Sequence, residues 1–272
     1  MMAGGAARDH RFAPVDVLAA SLVGLSGPLF FVFHMPLAGY SALVAALVIS
    51  YATNKKLFRD LTLVCVSLFV MSLVPINTDI GTQHMAIMGA AMLAIVGLPY
   101  VLSRYVYKEQ IIHFPWHFKE HWSGQKWAYL GLVAVVGYLV LPYYMITTGA
   151  YLNWPATDSG AEVLRLFIGT NALGIWDELF FICTVFVVFS RHLPFWMANV
   201  LQAILFSSFL FELGFTAWGL PLTFVFAMVQ AYIFKLTRSL FYIVCVHLLF
   251  DLFLFLVLIH AHNRDVLNIF LY

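Results

Sequence analysis

Residues 162–190 read EVLRLFIGTNALGIWDELFFICTVFVVFS, and after the first turn this apolar run is broken only by Asp177 and Glu178 near its middle. A helix needs about 20 mostly apolar residues to cross a bilayer, and this stretch exceeds that. An unpaired charge costs several kcal/mol or more in hydrocarbon, so such carboxylates are expected to face a bundle interior or a wet cavity. Two further stretches repeat the pattern. Glu212 interrupts FLFELGF at 209–215, and His247 and Asp251 interrupt VCVHLLFD at 244–251.

The rest of the chain agrees with a membrane reading. Its 272 residues are 63% hydrophobic and 10% charged, against about 25% charged in soluble domains. The formal charge of +1 provides no basic stripe for phosphates, so nucleic acid is not an expected partner. Cys65, Cys183 and Cys245 sit in apolar runs without metal-type spacing and read as packing residues. No metal and no cofactor is expected.

Nine spans are predicted, at about 15–33, 36–52, 60–76, 84–103, 127–147, 162–190, 195–215, 220–236 and 239–260. The first follows a basic leader carrying Arg8 and Arg11 but runs past signal-peptide length, so it reads as a retained span. With the N-terminus cytoplasmic, twelve of the fourteen basic residues fall inside: Arg8, Arg11, Lys55, Lys56, Arg59, Arg104, Lys108, Lys119, Lys126, Arg191, Lys235 and Arg238. Only Arg165 and Arg264 fall outside. That segregation follows the positive-inside rule and supports the count. Backbone amides in lipid must bond within their own segment, so the class is all-α, a polytopic transmembrane helix bundle. The expected organisation is a cytoplasmic tail over 1–14, one transmembrane domain over 15–260 and a C-terminal tail over 261–272, in a multi-pass protein of the cell membrane. Residues 104–127, RYVYKEQIIHFPWHFKEHWSGQKW, mix Trp, Lys and His as an interfacial segment does. Within it His113, His117 and His121 recur every four residues, but Pro115 opposes the helix that would align them. His260 and His262 read as headgroup residues. Gly24, Gly39, Gly89, Gly97, Gly169 and Gly174 read as points of close helix contact.

Helical rise converts position to depth. At about 1.5 Å per residue, Asp177 lies roughly 21 Å from Arg191, and Glu178 and Asp251 lie roughly 20 Å from Arg191 and Arg238. These three carboxylates share a layer. His247 stands one turn from Asp251 on the same helical face, whereas Glu212 reaches the opposite interface. Two bland alternatives compete with a shared site. Asp177 and Glu178 can be satisfied by Asn171, Trp176 or a backbone carbonyl, and His247 can bond Asp251 directly at i, i+4.

WDELFF at 176–181, SSFLFELGF at 207–215 and FKLTRSLFYIVCVHLLFD at 234–251 together resemble the CPBP (CAAX protease and bacteriocin-processing, or Abi) family of intramembrane proteases. The likeness covers a core of about 160–260. The family motifs are Glu-Glu-x-x-x-Arg, Phe-x-x-x-His and His-x-x-x-Asn/Asp. Its eukaryotic branch removes the last three residues of prenylated proteins. The resemblance implies that a motif-one acid and the histidines activate water for peptide hydrolysis. It places Asp177 at the first glutamate, Glu178 at the second, His247 at the third-motif histidine and Asp251 at its partner. Ile182 occupies the arginine position and Phe215 the second-motif histidine position, and Glu212 is a candidate accessory group. Two functions follow from these residues. One is an intramembrane endopeptidase acting on a membrane-associated peptide or protein substrate, with Asp177, Glu178, His247 and Asp251 as catalytic residues. The other is a catalytically degenerate pseudoprotease that binds a membrane-protein partner. A proton-coupled carrier fits less well, because the ionisable residues crowd into the last four spans rather than repeating in both halves.

Overall fold

The computed structural model describes residues 13–119 and 121–272, and the leader with Arg8 and Arg11 lies outside them. Among the described residues there are nine long helices and no strand. We label them α1 (Pro14–Val32), α2 (Pro36–Thr53), α3 (Lys55–Ser72), α4 (Thr82–Val106), α5 (Gly124–Thr147), α6 (Gly160–Ser190), α7 (Phe195–Glu212), α8 (Gly219–Thr237) and α9 (Leu240–His262). Eight are long and apolar enough to cross a membrane. The exception is α3, whose first turns carry Lys55, Lys56, Arg59 and Asp60.

Local chemistry sets the helix starts. Pro14 and Pro36 open α1 and α2 at the position where a missing N–H costs nothing. Asn54 caps α3 by accepting from the Leu57 amide, which moves its start to Lys55, ahead of the expected residue 60. Ser159 and Glu162 form a reciprocal capping box at the head of α6.

Contacts place the helix ends in two groups, with the start of α3 in the first. At one end, Asp60 of α3 meets Arg191 at 3.0 Å and His192 at 2.6 Å, and Glu109 meets Arg191 at 2.9 Å. There too the Leu240 amide bonds the Pro115 carbonyl, and the Tyr242 hydroxyl donates to the Lys126 carbonyl. At the other end His34 lies 3.5 Å from Glu212, Thr78 donates to the Asn153 carbonyl, and His262 bonds the Trp154 carbonyl. The basic residues of the α2–α3, α4–α5, α6–α7 and α8–α9 connections therefore share one end, as the predicted alternation requires.

One expectation holds and two details differ. Residues 107–119 and 121–123 are not helical, so His113, His117 and His121 share no helical face, as Pro115 predicts; Ile111 and Ile112 are buried, and Trp122 packs edge-on against Tyr242. His260 is fully buried, bonded to the backbone of the returning C-terminal tail and packed on Phe270, rather than snorkelling. A side chain at Gly24, Gly39 or Gly174 would strike a neighbouring helix, but Gly89 and Gly97 face open space and Gly169 only approaches Met85.

Candidate active site

The long helix α6 supplies two adjacent acids, and its backbone changes pitch between them. Through Asp177 it is α-helical; from Glu178 to Phe186 it winds as a π-helix, with the Thr184 hydroxyl donating to the Leu179 carbonyl at 3.0 Å. Such wide turns concentrate at functional sites. Here the change coincides with two carboxylates taking separate roles: Asp177 lines a cavity, while Glu178 is held against the His247 ring and Gln230.

All four residues placed by the motifs come together. Asp177, Glu178, His247 and Asp251 are each at most 7% exposed. His247 Nδ1 lies 2.7 Å from Glu178 Oε1, and Gln230 Nε2 donates to the same oxygen at 2.7 Å and to the Ile243 carbonyl at 3.2 Å. With Nδ1–H donated to Glu178, the neutral ring presents a bare Nε2 to the opposite side. There Asp177 Oδ2 stands at 3.7 Å and Asp251 Oδ1 at 3.9 Å from Nε2. Both gaps exceed the direct hydrogen-bond range of about 2.7–3.2 Å, so Nε2 and the two acid oxygens make no direct bond and border the cavity side by side.

Neither bland alternative describes this arrangement. Asn171 donates to the Phe167 carbonyl, Trp176 to the Met92 carbonyl, and His247 makes no direct bond to Asp251. The imidazole is held at Nδ1 by Glu178 at 2.7 Å, whereas Asp251 Oδ1 stands 3.9 Å from Nε2. Edge-on packing of Phe226, with ring centroids 5.0 Å apart, fixes the plane of the ring. Gly174 completes the fit, because a methyl group there would overlap the Asp251 carboxylate and touch the imidazole.

Three carboxylates share one imidazole here without any Lys or Arg. Asp177 Oδ1, Glu178 Oε2 and Asp251 Oδ2 are buried without a side-chain or backbone partner. A cavity of about 350 Å³ opens over Asp177, His247 and Asp251, walled by α5 and α8 as well as by α6, α7 and α9. Phe215 lines its outer part and stacks on Tyr144 at 5.7 Å, so an aromatic ring occupies the position of the second-motif histidine. Ile182 is buried at the arginine position. Glu212 is not brought to the cluster; it faces His34 at the end of the bundle. Gln230 was missed by a sequence reading that sought ionisable groups, although an amide inside the apolar run FVFAMVQAYIF is itself a signal.

A polytopic helical bundle with an acid–histidine cluster at the floor of a cavity defines the class as a multi-pass membrane protein. The family model described as type II CAAX prenyl endopeptidase Rce1-like matches residues 159–253, about a third of the chain, and this match supports the resemblance to the CPBP family. The kind of function that accompanies this is that of a CAAX-type intramembrane protease. Comparison with curated proteins and with solved structures finds no significant match.

Proposed function

We propose that this chain is an endopeptidase of the cell membrane that cuts a membrane-associated peptide or protein by activating water between Asp177 and His247. The observation that carries the reading is the His247 ring, anchored at Nδ1 by Glu178 at 2.7 Å and presenting Nε2, unbonded, beside two acids at the floor of a cavity with room for water. In the proposed step, water bound between Asp177 Oδ2 and His247 Nε2 adds its oxygen to the scissile carbonyl carbon and passes a proton to Asp177. Collapse of the tetrahedral intermediate breaks the C–N bond, and the proton held by Asp177 goes to the departing amine. Glu178 keeps the imidazole in register, and Asp251 completes the polar rim that holds the water. Positioning of this kind supplies much of a hydrolase's rate.

The full-length protein, purified into nanodiscs, is expected to cleave a membrane-peptide library. His247→Ala and Glu178→Ala are expected to abolish cleavage at unchanged yield of folded protein. Turnover that survives both substitutions would end this mechanism. The scaffold alternative has its own observation, the aromatic ring of Phe215 where the family motif has histidine. It predicts a stable complex with a second membrane protein and no hydrolysis by the parent chain. Gain of cleavage in Phe215→His, with none in the parent, would favour it.

A further inference from the structure

The mouth of the cavity and the charges around it point to the part of a substrate that reaches Asp177 and His247. The cavity opens between α5 and α8. These two helices are clasped at one end, where the Tyr144 hydroxyl donates to the Gly214 and Thr216 carbonyls. Elsewhere they are not packed on one another, and α9 lies against α5 behind the gap. The rim is aliphatic: Leu132 and Val136 on α5, Val225 and Val229 on α8. Leu132 and Val225 are each 58% exposed, on helices whose apolar length suits a bilayer, so the mouth faces sideways into lipid. No Lys or Arg lines the cavity, and the charged groups at its floor are the carboxylates of Asp177 and Asp251 beside one histidine.

That charge pattern separates two kinds of peptide. A C-terminal trimming reaction that removes three residues holds the substrate's α-carboxylate about 10 Å from the scissile carbonyl, since an extended chain advances about 3.3–3.6 Å per residue. At that distance from Asp177 the carboxylate would sit in the aliphatic cavity or its rim with no cation to pair with, which is strongly unfavourable. An internal peptide bond brings no charge. We infer that the cavity admits an uncharged, internal stretch of a membrane-spanning polypeptide, entering from the lipid between α5 and α8, and that it disfavours a free C-terminus. The inference rests on the proposed hydrolytic reading for its chemistry, but its claim about occupancy can be tested without cleavage.

Two probes decide it in nanodiscs holding the full-length protein. One is a single-span peptide with fluorophore and quencher flanking its centre; the other is a lipid-anchored peptide ending in a free α-carboxylate, with its C-terminal amide as control. A photo-crosslinking amino acid at Val136 or Val229 reports occupancy, and cleavage is read in parallel. The single-span peptide is expected to crosslink and to be cut at least tenfold faster than the carboxylate peptide, and amidation is expected to raise crosslinking of the latter. Val136→Trp with Val229→Trp is expected to reduce both signals at least tenfold with unchanged thermal unfolding. Equal or better capture of the carboxylate form overturns the inference, as does absence of crosslinking to the single-span peptide. Crosslinking of the single-span peptide without cleavage upholds the inference and overturns the hydrolytic reading instead.

Discussion

Two acid–histidine pairs of nearly equal length behave differently in this molecule. At the basic end of the bundle His192 Nε2 lies 2.6 Å from Asp60 Oδ2; in the interior His247 Nδ1 lies 2.7 Å from Glu178 Oε1. Around Asp60 the charges are matched. Arg191 reaches Asp60 at 3.0 Å and Glu109 at 2.9 Å, and Arg59 bonds the Tyr107 carbonyl, so two cations answer two acids and tie α3 and the 107–123 segment to the α6–α7 turn. Around Glu178 three acids face one imidazole and a neutral amide, and an oxygen of each acid lacks a protein partner. Matched charge holds helices together. Unmatched charge, kept under a cavity, is the arrangement a reactive site requires and a fold does not.

The comparison predicts opposite responses to neutralising an acid. Asp177→Asn is expected to lower turnover of a cleaved membrane peptide by about 100- to 10,000-fold, the range for loss of a general acid–base group. The same substitution is expected to raise thermal stability, by about 0.5–2 kcal/mol, because function-bearing strain is relieved. Asp60→Asn is expected to lower stability. If both substitutions moved the melting temperature in the same direction, the distinction between the two regions would fail.

Next in size is Arg191→Ala, which leaves the carboxylate of Asp60, 1% exposed, with the His192 ring as its remaining side-chain partner. Removing one partner of a buried pair costs about 3–5 kcal/mol, to be read as a loss in thermal unfolding in detergent. Adding Asp60→Asn to Arg191→Ala should recover part of that loss, since the stranded charge goes with it. Additive losses in the double variant would mean that Arg191 acts through packing alone.

Gln230 tests how the unmatched cluster is held. Its amide fixes the Glu178 oxygen that receives the His247 proton, so it is a positioning residue. Gln230→Leu is expected to reduce kcat about 10- to 100-fold with KM unchanged, as for a lost support of a reacting group. The ¹⁵N spectrum of His247 should show loss of the single Nδ1–H tautomer, which a purely packing role would leave in place.

What the sequence disclosed follows from the kinds of residue involved. Asp177, Glu178, His247 and Asp251 were legible because an ionisable group stands out in a run of Leu, Phe and Val, and helical rise placed them in one layer. Gln230 carries no charge and did not stand out. The faces of α5 and α8 that wall the cavity are mostly aliphatic, like the faces turned outward, so no periodicity marks which face borders a cavity. Glu212 is a candidate in the sequence because it is an acid in an apolar run three residues before Phe215, and its actual partner, His34, lies too far away in the chain for spacing to reveal it. The start of α3 was placed late because Lys55, Lys56 and Arg59 read as a loop, although Asn54 before them is a strong capping residue. Local signals locate helices in this chain; pairing across helices had to come from the fold.

The smallest effect separates the two regions by pH. The Arg191 hydrogen bond, aided by the nearby charges of Arg191, Arg59 and Lys56, holds the Glu109 carboxyl below its usual value. A carboxyl lowered in the folded state adds stability that is complete above the unfolded value, about 4.3, and disappears as pH falls through the folded one. Acid should therefore loosen the tie between the 107–123 segment and Arg191 while neutral and alkaline pH leave it intact. Glu109 is 37% exposed at its side chain, so solvent screening limits the contribution to about 0.2–1 kcal/mol. Glu109→Gln is expected to be slightly less stable than the parent at pH 7 and equal to it at pH 3, with protease nicking of the 107–123 segment as the local readout. A gap between the two proteins that widens toward acid would reverse the sign and show that Glu109 is held by something other than its arginines.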